Sequence, residues 1–332
     1  MPDLAPIVFE PILLPKVWGG GALAAYGKPL PAGERIGESW EVADLASTAA
    51  SGAGGSAQRS VVSAGPLAGR TLGELMTAFG PDLLGDAKPS AAGGFPLLVK
   101  LLDARETLSV QVHPSPAYVA ANPGAHFKTE CWYVLDAEDD ALIYKGLRPG
   151  VSAEDLKAAV TDGRVPEVLA SEPAVPGELH ELPSGTIHAL GAGVVAAEFQ
   201  TPSDTTFRVY DWAQELDRSP RELHVEQALA SMDLAEPPAA ATGPGTLCEN
   251  DFFRVREVRG HCEEVGLAMT GCAVVMIVGG KGASIASASD AFEEVPGRPG
   301  STVLVPAACA ADAVLRARPG TVCLVCEVHT GG

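Results

Sequence analysis

The sequence predicts a mainly β protein made of two barrel- or sandwich-like units with a few helices, and three observations lead there. From residue 95 onward strand-like runs dominate: FPLLVKLLDA (95–104), LSVQVHP, CWYVL, ALIYKGL, VVAAEFQ and TTFRVYDW. A G-x5-P pattern occurs twice, as Gly177–Pro183 and Gly300–Pro306, each among further strand signals. Between the two copies lies EPPAAATGPG (236–245), which has the composition of a linker. A repeated β unit implies two packed units, and 332 residues is long for one hydrophobic core. Residues 1–235 are therefore expected to form the first unit and 246–332 the second.

Residues 1–70 are rich in Gly, Ala and Pro, with short strand-like pieces such as ESWEVAD. TLGELMTAFGPDLLG (71–85) spaces its apolar residues helically after Thr71, a candidate cap. Ser152 takes the same part for SAEDLKAAV (152–160), where Glu154 and Asp155 favour the first turn. A short helix around PEVLA follows, so helical insertions are expected near 71–85 and 152–170. Strands resume at ELHELP, and RELHVEQALASM (221–232) reads as a helix. Everything after the linker reads as short strands and turns.

Composition removes several classes of function. Hydrophobic residues at 46% and charged residues at 20% describe an ordinary soluble globular protein. No apolar run approaches the ~20 residues that span a bilayer. MPDLAPIVFE lacks a basic segment followed by an apolar one, so a cytoplasmic location is expected. A net charge of −19 argues against nucleic acid or an anionic membrane as partner. An anionic ligand would need a locally basic site against that background. The seven cysteines are irregularly spaced, which speaks against a disulfide framework. Cys323 and Cys326 form a C-x-x-C inside TVCLVCEV, which reads as a buried strand holding structural thiols.

The chemistry concentrates in the first unit. In SVQVHPSPAY (109–118) Val110 and Val112 suit a strand and share one face. Ser109, Gln111 and His113 then share the other. His188 follows a Pro-Ser-Gly turn where a strand re-enters, and KTECWYVL offers Glu130, with Lys128 two residues before it on the same face. Two imidazoles, a carboxylate and an amide oxygen make a mixed donor set suited to zinc or another first-row divalent ion. With one anionic ligand the ion would stay a strong Lewis acid, provided it accepts a fifth ligand. The competing account makes Gln111 and His113 hydrogen-bonded core residues and pairs Glu130 with Lys128. In EFQTPSDTTFRVYDW, Asp204, Thr206 and Arg208 alternate onto one face, with Glu198 six residues before Asp204. They offer a base and a charge stabiliser beside a metal, or else a surface ion pair between Asp204 and Arg208.

Together these residues resemble a known family. Gly177 to His188 is similar to the second signature motif of the cupin β-barrels. QVHP, KTECWYVL and SGTIHALGAG…EFQTPSDTTFRVYDW, with KVWGG, GESWEV and FPLLVKLLDA before them, resemble the short bacterial type I mannose-6-phosphate isomerases. The resemblance spans most of residues 7–215, and the C-terminal unit resembles that family's second cupin domain without metal ligands.

The resemblance implies two cupin-like barrels and one zinc ion held by Gln111, His113, Glu130 and His188. It implies Arg208 beside the reacting sugar carbons, Ser109 at the phosphate, and Trp18, Glu38, Lys100, Lys128, Glu198 and Asp204 at other active-site positions. A phosphorylated hexose is the implied substrate and a monomer or homodimer the expected assembly. Lys100, Lys128 and Ser109 would form the basic pocket for phosphate, with Glu198 or Asp204 as base for proton transfer through a cis-enediol. After YDW no obvious lysine offers itself. The alternatives are an isomerase of another phosphorylated aldose, a cupin metal oxygenase and a non-catalytic sugar-binding cupin. The second unit is expected to act as packing support for one face of the first.

Overall fold

A computed structural model describes residues 4–45, 57–213, 215–233, 245–260, 264–267 and 271–329. Nearly all of the expected linker lies outside these residues. The first half supplies β1 (Ile12–Gly20), β2 (Ile36–Val42), the short pair β3 (Asp44–Leu45) and β4 (Gln58–Arg59), and β5 (Leu98–Ala104). It continues with β6 (Val110–Val112), β7 (Glu130–Ala137), β8 (Leu142–Leu147) and β9 (Leu169–Pro173). Next come β10 (Leu179–Leu182), β11 (His188–Leu190), β12 (Val194–Gln200) and β13 (Phe207–Tyr210). The second half supplies β14 (Thr246–Glu249), β15 (Phe253–Arg259), β16 (Glu264–Gly266), β17 (Ala273–Gly279) and β18 (Ala283–Ser287). It closes with β19 (Val295–Gly297), β20 (Thr302–Val305), β21 (Ala313–Ala317) and β22 (Val322–Val328). The helices are few: α1 (Leu72–Leu84), α2 (Pro116–Ala121), α3 (Ala153–Thr161), α4 (Val165–Val168), α5 (Val225–Ser231) and α6 (Ala307–Ala310). The chain is mainly β, as the strand signals require.

The first half forms a six-stranded sheet, β1-β2-β5-β12-β7-β10, and a five-stranded sheet, β13-β6-β11-β8-β9. The second half forms β14-β15-β22-β17-β20 and β16-β21-β18-β19. The order β5-β12-β7-β10 thus recurs as β15-β22-β17-β20, and β6-β11-β8-β9 as β16-β21-β18-β19. The paired G-x5-P motifs are the visible trace of this repeat. Gly177 and Gly300 both take a left-handed φ, +96° and +88°, just before the edge strands β10 and β20. That conformation favours glycine, and at Gly300 a Cβ would also lie 1.9 Å from the Tyr26 carbonyl oxygen.

Layers of apolar contact hold the sheets, among them one within the second half that joins Val275, Val303 and Val325 to Ile285 and Leu315. Val99, Leu101, Cys131, Ala197 and Phe199 of the six-stranded sheet join Phe253, Val255, Val274, Met276 and Leu324 in one cluster. The six-stranded sheet therefore packs on β14-β15-β22-β17-β20, and β12 is buried on both faces along its whole length. On its other face, Leu102, Trp132, Val134 and Ala196 meet Ile143 and Leu190 of the five-stranded sheet. The outer face of that second sheet, with Val110, Val112, Phe207 and Val209, is covered by Leu156, Val165 and Ala228 from α3, α4 and α5.

Local signals account for the helices. Thr71 and Glu74 form a reciprocal capping box at α1, as do Ser152 and Asp155 at α3. Each cap is worth about 1 kcal/mol. The stretch 221–232 departs from expectation, since only Val225–Ser231 is helical. Arg221–His224 instead returns to β13: the His224 N–H donates to the Arg208 carbonyl at 2.7 Å, and the Arg208 N–H donates to His224 Nδ1 at 3.2 Å. Tertiary hydrogen bonds outweigh helical propensity there. Cys323 and Cys326 point to opposite faces of β22 and join different clusters, so they cannot chelate one ion as a pair. Burial pushes the Cys323 thiol up to about 12. Among the described residues no helix is long and apolar enough to cross a membrane.

Candidate active site and metal centre

Two rows of side chains face each other between the first two sheets. On the six-stranded sheet Trp40, Lys100, Glu198 and Trp132 stand in register on β2, β5, β12 and β7. On the five-stranded sheet Arg208, Gln111 and His188 do the same on β13, β6 and β11. A cavity of about 190 Å³ lies between them. Its walls include Trp18, Glu38, Lys100, Ser109, Gln111, Lys128, Glu198, Asp204 and Arg208, all nominated from the sequence. The cavity also takes in Lys16, Trp40, Trp132, Thr206 and Arg221. Trp132 was within reach of the sequence, because it follows Glu130 by two in the same strand. Arg221 carried no such signal, since it arrives on a loop thirteen positions after Arg208.

His113, Glu130 and His188 converge beside this cavity, with candidate ligand atoms within 4.8 Å of one another. All three are at most 2 % exposed. His113 Nδ1 lies 3.0 Å from the Thr205 carbonyl and His188 Nδ1 lies 2.9 Å from the Thr186 carbonyl. A carbonyl only accepts, so each Nδ1 carries a proton and each Nε2 turns to the opposite side. Both Nε2 atoms face Glu130 Oε1, at 3.2 and 3.1 Å. Burial, followed by the Lys128 charge, pushes the His113 pKa down to about 3, so its ring is neutral. The lone pair of the neutral His113 ring and the Glu130 oxygen it faces repel unless a cation sits between them. The Gln111 amide end lies 3.2 Å from His188 Nε2, and a turn of the amide brings its oxygen to the same point. This donor set fits a divalent metal ion.

Lys128 and Glu130 do pair, at 2.7 Å, but through Oε2, which leaves Oε1 facing the imidazoles. The pairing with Lys128 and a ligand role are thus compatible for this carboxylate, through different oxygens. Lys100 Nζ lies 2.7 Å from Glu198 Oε1 and 3.9 Å from Glu38, while Lys16 lies 2.9 Å from Glu38. Trp132 Nε1 donates to Glu198 Oε2 at 2.8 Å. Each lysine of the cavity is therefore answered by a carboxylate, and both oxygens of Glu198 are engaged.

Burial alone would raise the Glu38 pKa, but Lys16 and Lys100 outweigh it and bring it from 4.5 to about 2. A carboxylate whose folded pKa is depressed stabilises the protein fully above its unfolded value, and that contribution drains as pH falls toward the folded one. The stability gap between wild type and Glu38→Gln should therefore shrink as pH falls from about 5 to about 3. Denaturant titrations across that range measure it, and a constant gap would refute the coupling.

Arg208 Nη1 donates to the Glu222 carbonyl at 2.7 Å, which aims the guanidinium into the cavity. Burial, then the charge of Arg221, lowers its pKa to about 10, so it stays cationic at neutral pH.

A family model, phosphomannose isomerase type I, catalytic domain, matches residues 12–140. The mannose-6-phosphate isomerase ManA of Bacillus subtilis (strain 168) is 37% identical over 243 residues, 71% of each chain. The chain belongs to the type I phosphomannose isomerases. Among solved structures of these isomerases, that of the mannose 6-phosphate isomerase from Bacillus subtilis superposes with a TM-score of 0.79 at 28% identity. The match covers 97% of this chain and 99% of that one. A mannose 6-phosphate isomerase bound with zinc and yttrium shares the fold, with a TM-score of 0.69 at 17% identity over 97% and 99% of the two chains. These likenesses span the whole repeat, so the two-part β architecture belongs to the phosphomannose isomerase fold.

Proposed function

We infer that the protein interconverts mannose 6-phosphate and fructose 6-phosphate. The reading is carried by three buried metal-ligand side chains opening on a cavity walled by Arg208, Asp204 and Ser109, in a chain of this family. Gln111, His113, Glu130 and His188 would hold the ion, and zinc suits their nitrogen and oxygen donors. Bound there, a zinc ion supplies Lewis-acid polarisation of the substrate oxygens. Lys128 holds the second oxygen of Glu130 and so orients that ligand.

The reaction moves the proton on C2 of the aldose to C1, and the proton on O2 to O1, through a cis-enediol. Glu198 and Asp204 both line the cavity and are the candidates for the base; both oxygens of Glu198 are engaged, by Lys100 and Trp132. Arg208 stabilises the oxygen charge that develops at the reacting carbons. Trp18, Trp40 and Trp132 wall the cavity with apolar surface that limits water. A coupled assay on both sugar phosphates tests the reading: turnover should vanish on chelation and return on adding zinc. A folded, metal-loaded protein without turnover on either sugar would overturn it.

A further inference from the structure

The Lys128 ammonium and the Glu130 carboxylate meet at 2.7 Å, yet the fold fixes the two residues differently. Glu130 opens β7 in register with Leu182 of β10 and Gln200 of β12, so strands on both sides set its backbone. Lys128 precedes that ladder, and its place depends on whatever holds the loop leading into β7. On one side the 201–205 segment holds it. The Thr129 N–H donates to Thr201 Oγ1 at 3.2 Å and the His126 N–H to Thr205 Oγ1 at 3.0 Å, while Ser203 Oγ donates to the His126 carbonyl at 3.1 Å.

The other support comes from the second half of the chain. The ring of Phe127, the residue before Lys128, meets that of Phe252 with centroids 5.0 Å apart and planes at 34°. Phe252 lies in the turn between β14 and β15, and that turn is pinned. Asn250 Oδ1 accepts from the Phe252 N–H at 2.9 Å and the Phe253 N–H at 3.1 Å, and the Phe252 carbonyl accepts from the His329 N–H at 2.8 Å. Phe253 turns into the core shared by the two halves, whereas Phe252 stays 39% exposed. Among the described residues its ring partner is Phe127, so its packing serves the loop rather than a core.

We propose that Phe252 is a positioning residue for the metal site: through Phe127 it holds Lys128 where the ammonium fixes Glu130 Oε2, which keeps Oε1 turned to the imidazoles. The second half then contributes to the site of the first, beyond the packing support expected of it. The kinetic consequence rests on the isomerase reading above; the consequence for metal binding does not. An aromatic pair of this kind is worth a factor of about 2 to 10 beyond the area it buries.

The test measures zinc affinity, by competition with a chelator, and mannose 6-phosphate kinetics of the zinc-saturated full-length protein. Phe252→Ala should weaken zinc binding by about 2- to 10-fold and lower kcat by a similar factor, the fall in kcat exceeding any rise in KM. Phe252→Tyr keeps the ring and should match wild type in both. In a Phe127→Leu background Phe252→Ala should add nothing, because the contact is already gone. Unchanged zinc affinity and kcat in Phe252→Ala would overturn the proposal, whatever happens to the thermal midpoint. So would a loss as large in the Phe127→Leu background as in wild type. If zinc affinities follow the expected pattern but wild type turns over neither sugar, the isomerase reading fails and the positioning role stands.

Discussion

Glu130→Ala should empty the metal site and lower turnover on mannose 6-phosphate by about a thousandfold or more. Lewis-acid stabilisation by a bound ion is worth several kcal/mol, and each 1.36 kcal/mol is a factor of ten. Two effects act together on affinity. The variant loses the single anionic donor, whose Oε1 lies within 3.2 Å of both imidazole Nε2 atoms. It also frees the Lys128 ammonium from its 2.7 Å pairing, so a buried cation is left beside the place where the metal would sit. Stranding that cation costs about 3–5 kcal/mol of stability. Glu130→Gln keeps the volume and separates the metal effect from packing. Metal analysis, thermal unfolding and the coupled assay together decide it. Stoichiometric zinc with near-wild-type turnover in both variants would remove Glu130 from the site.

Arg208→Ala should leave the metal in place and reduce kcat by about 10²- to 10³-fold, the usual consequence of deleting one oriented charge donor. The guanidinium stands in register beside Gln111, is steered by the Glu222 carbonyl, and remains cationic at neutral pH with a pKa near 10. Because it is not among the metal donors, zinc content should match wild type. Arg208→Lys restores the charge without the fork and should recover part of the rate. Near-wild-type kcat in Arg208→Ala, with zinc bound, would show that charge at the reacting carbons is stabilised elsewhere.

The candidate site was legible wherever its residues are spaced by two along a strand. Ser109, Gln111 and His113 around Val110 and Val112 share a face by the geometry of the pleat, and the structure brings them to the cavity or the metal ligands; Asp204 and Thr206 precede β13 rather than lie in it, yet line the same cavity as Arg208. Thr71 and Ser152 were legible as caps for the same local reason. Arg221 was not, since a loop hydrogen-bonded back to β13 delivers it, and a helical pattern in the sequence masked that return. The Lys128–Glu130 pair was legible from its spacing, but local pattern did not reveal that Lys16 and Lys100 would be paired, because Glu38 and Glu198 reach them from other strands.

The sequence by itself determined the mainly β class, the repeat marked by two left-handed glycines, the alternating faces that carry the donor atoms, and the caps of α1 and α3. All of these follow from interactions spanning a few residues. Only the tertiary structure decided which oxygen of Glu130 faces the imidazoles, which carboxylates answer Lys16 and Lys100, and that Arg221 joins Ser109 on the cavity wall. Those pairings join β-strands and loops far apart in the chain, and their energies depend on burial and register that no local spacing encodes.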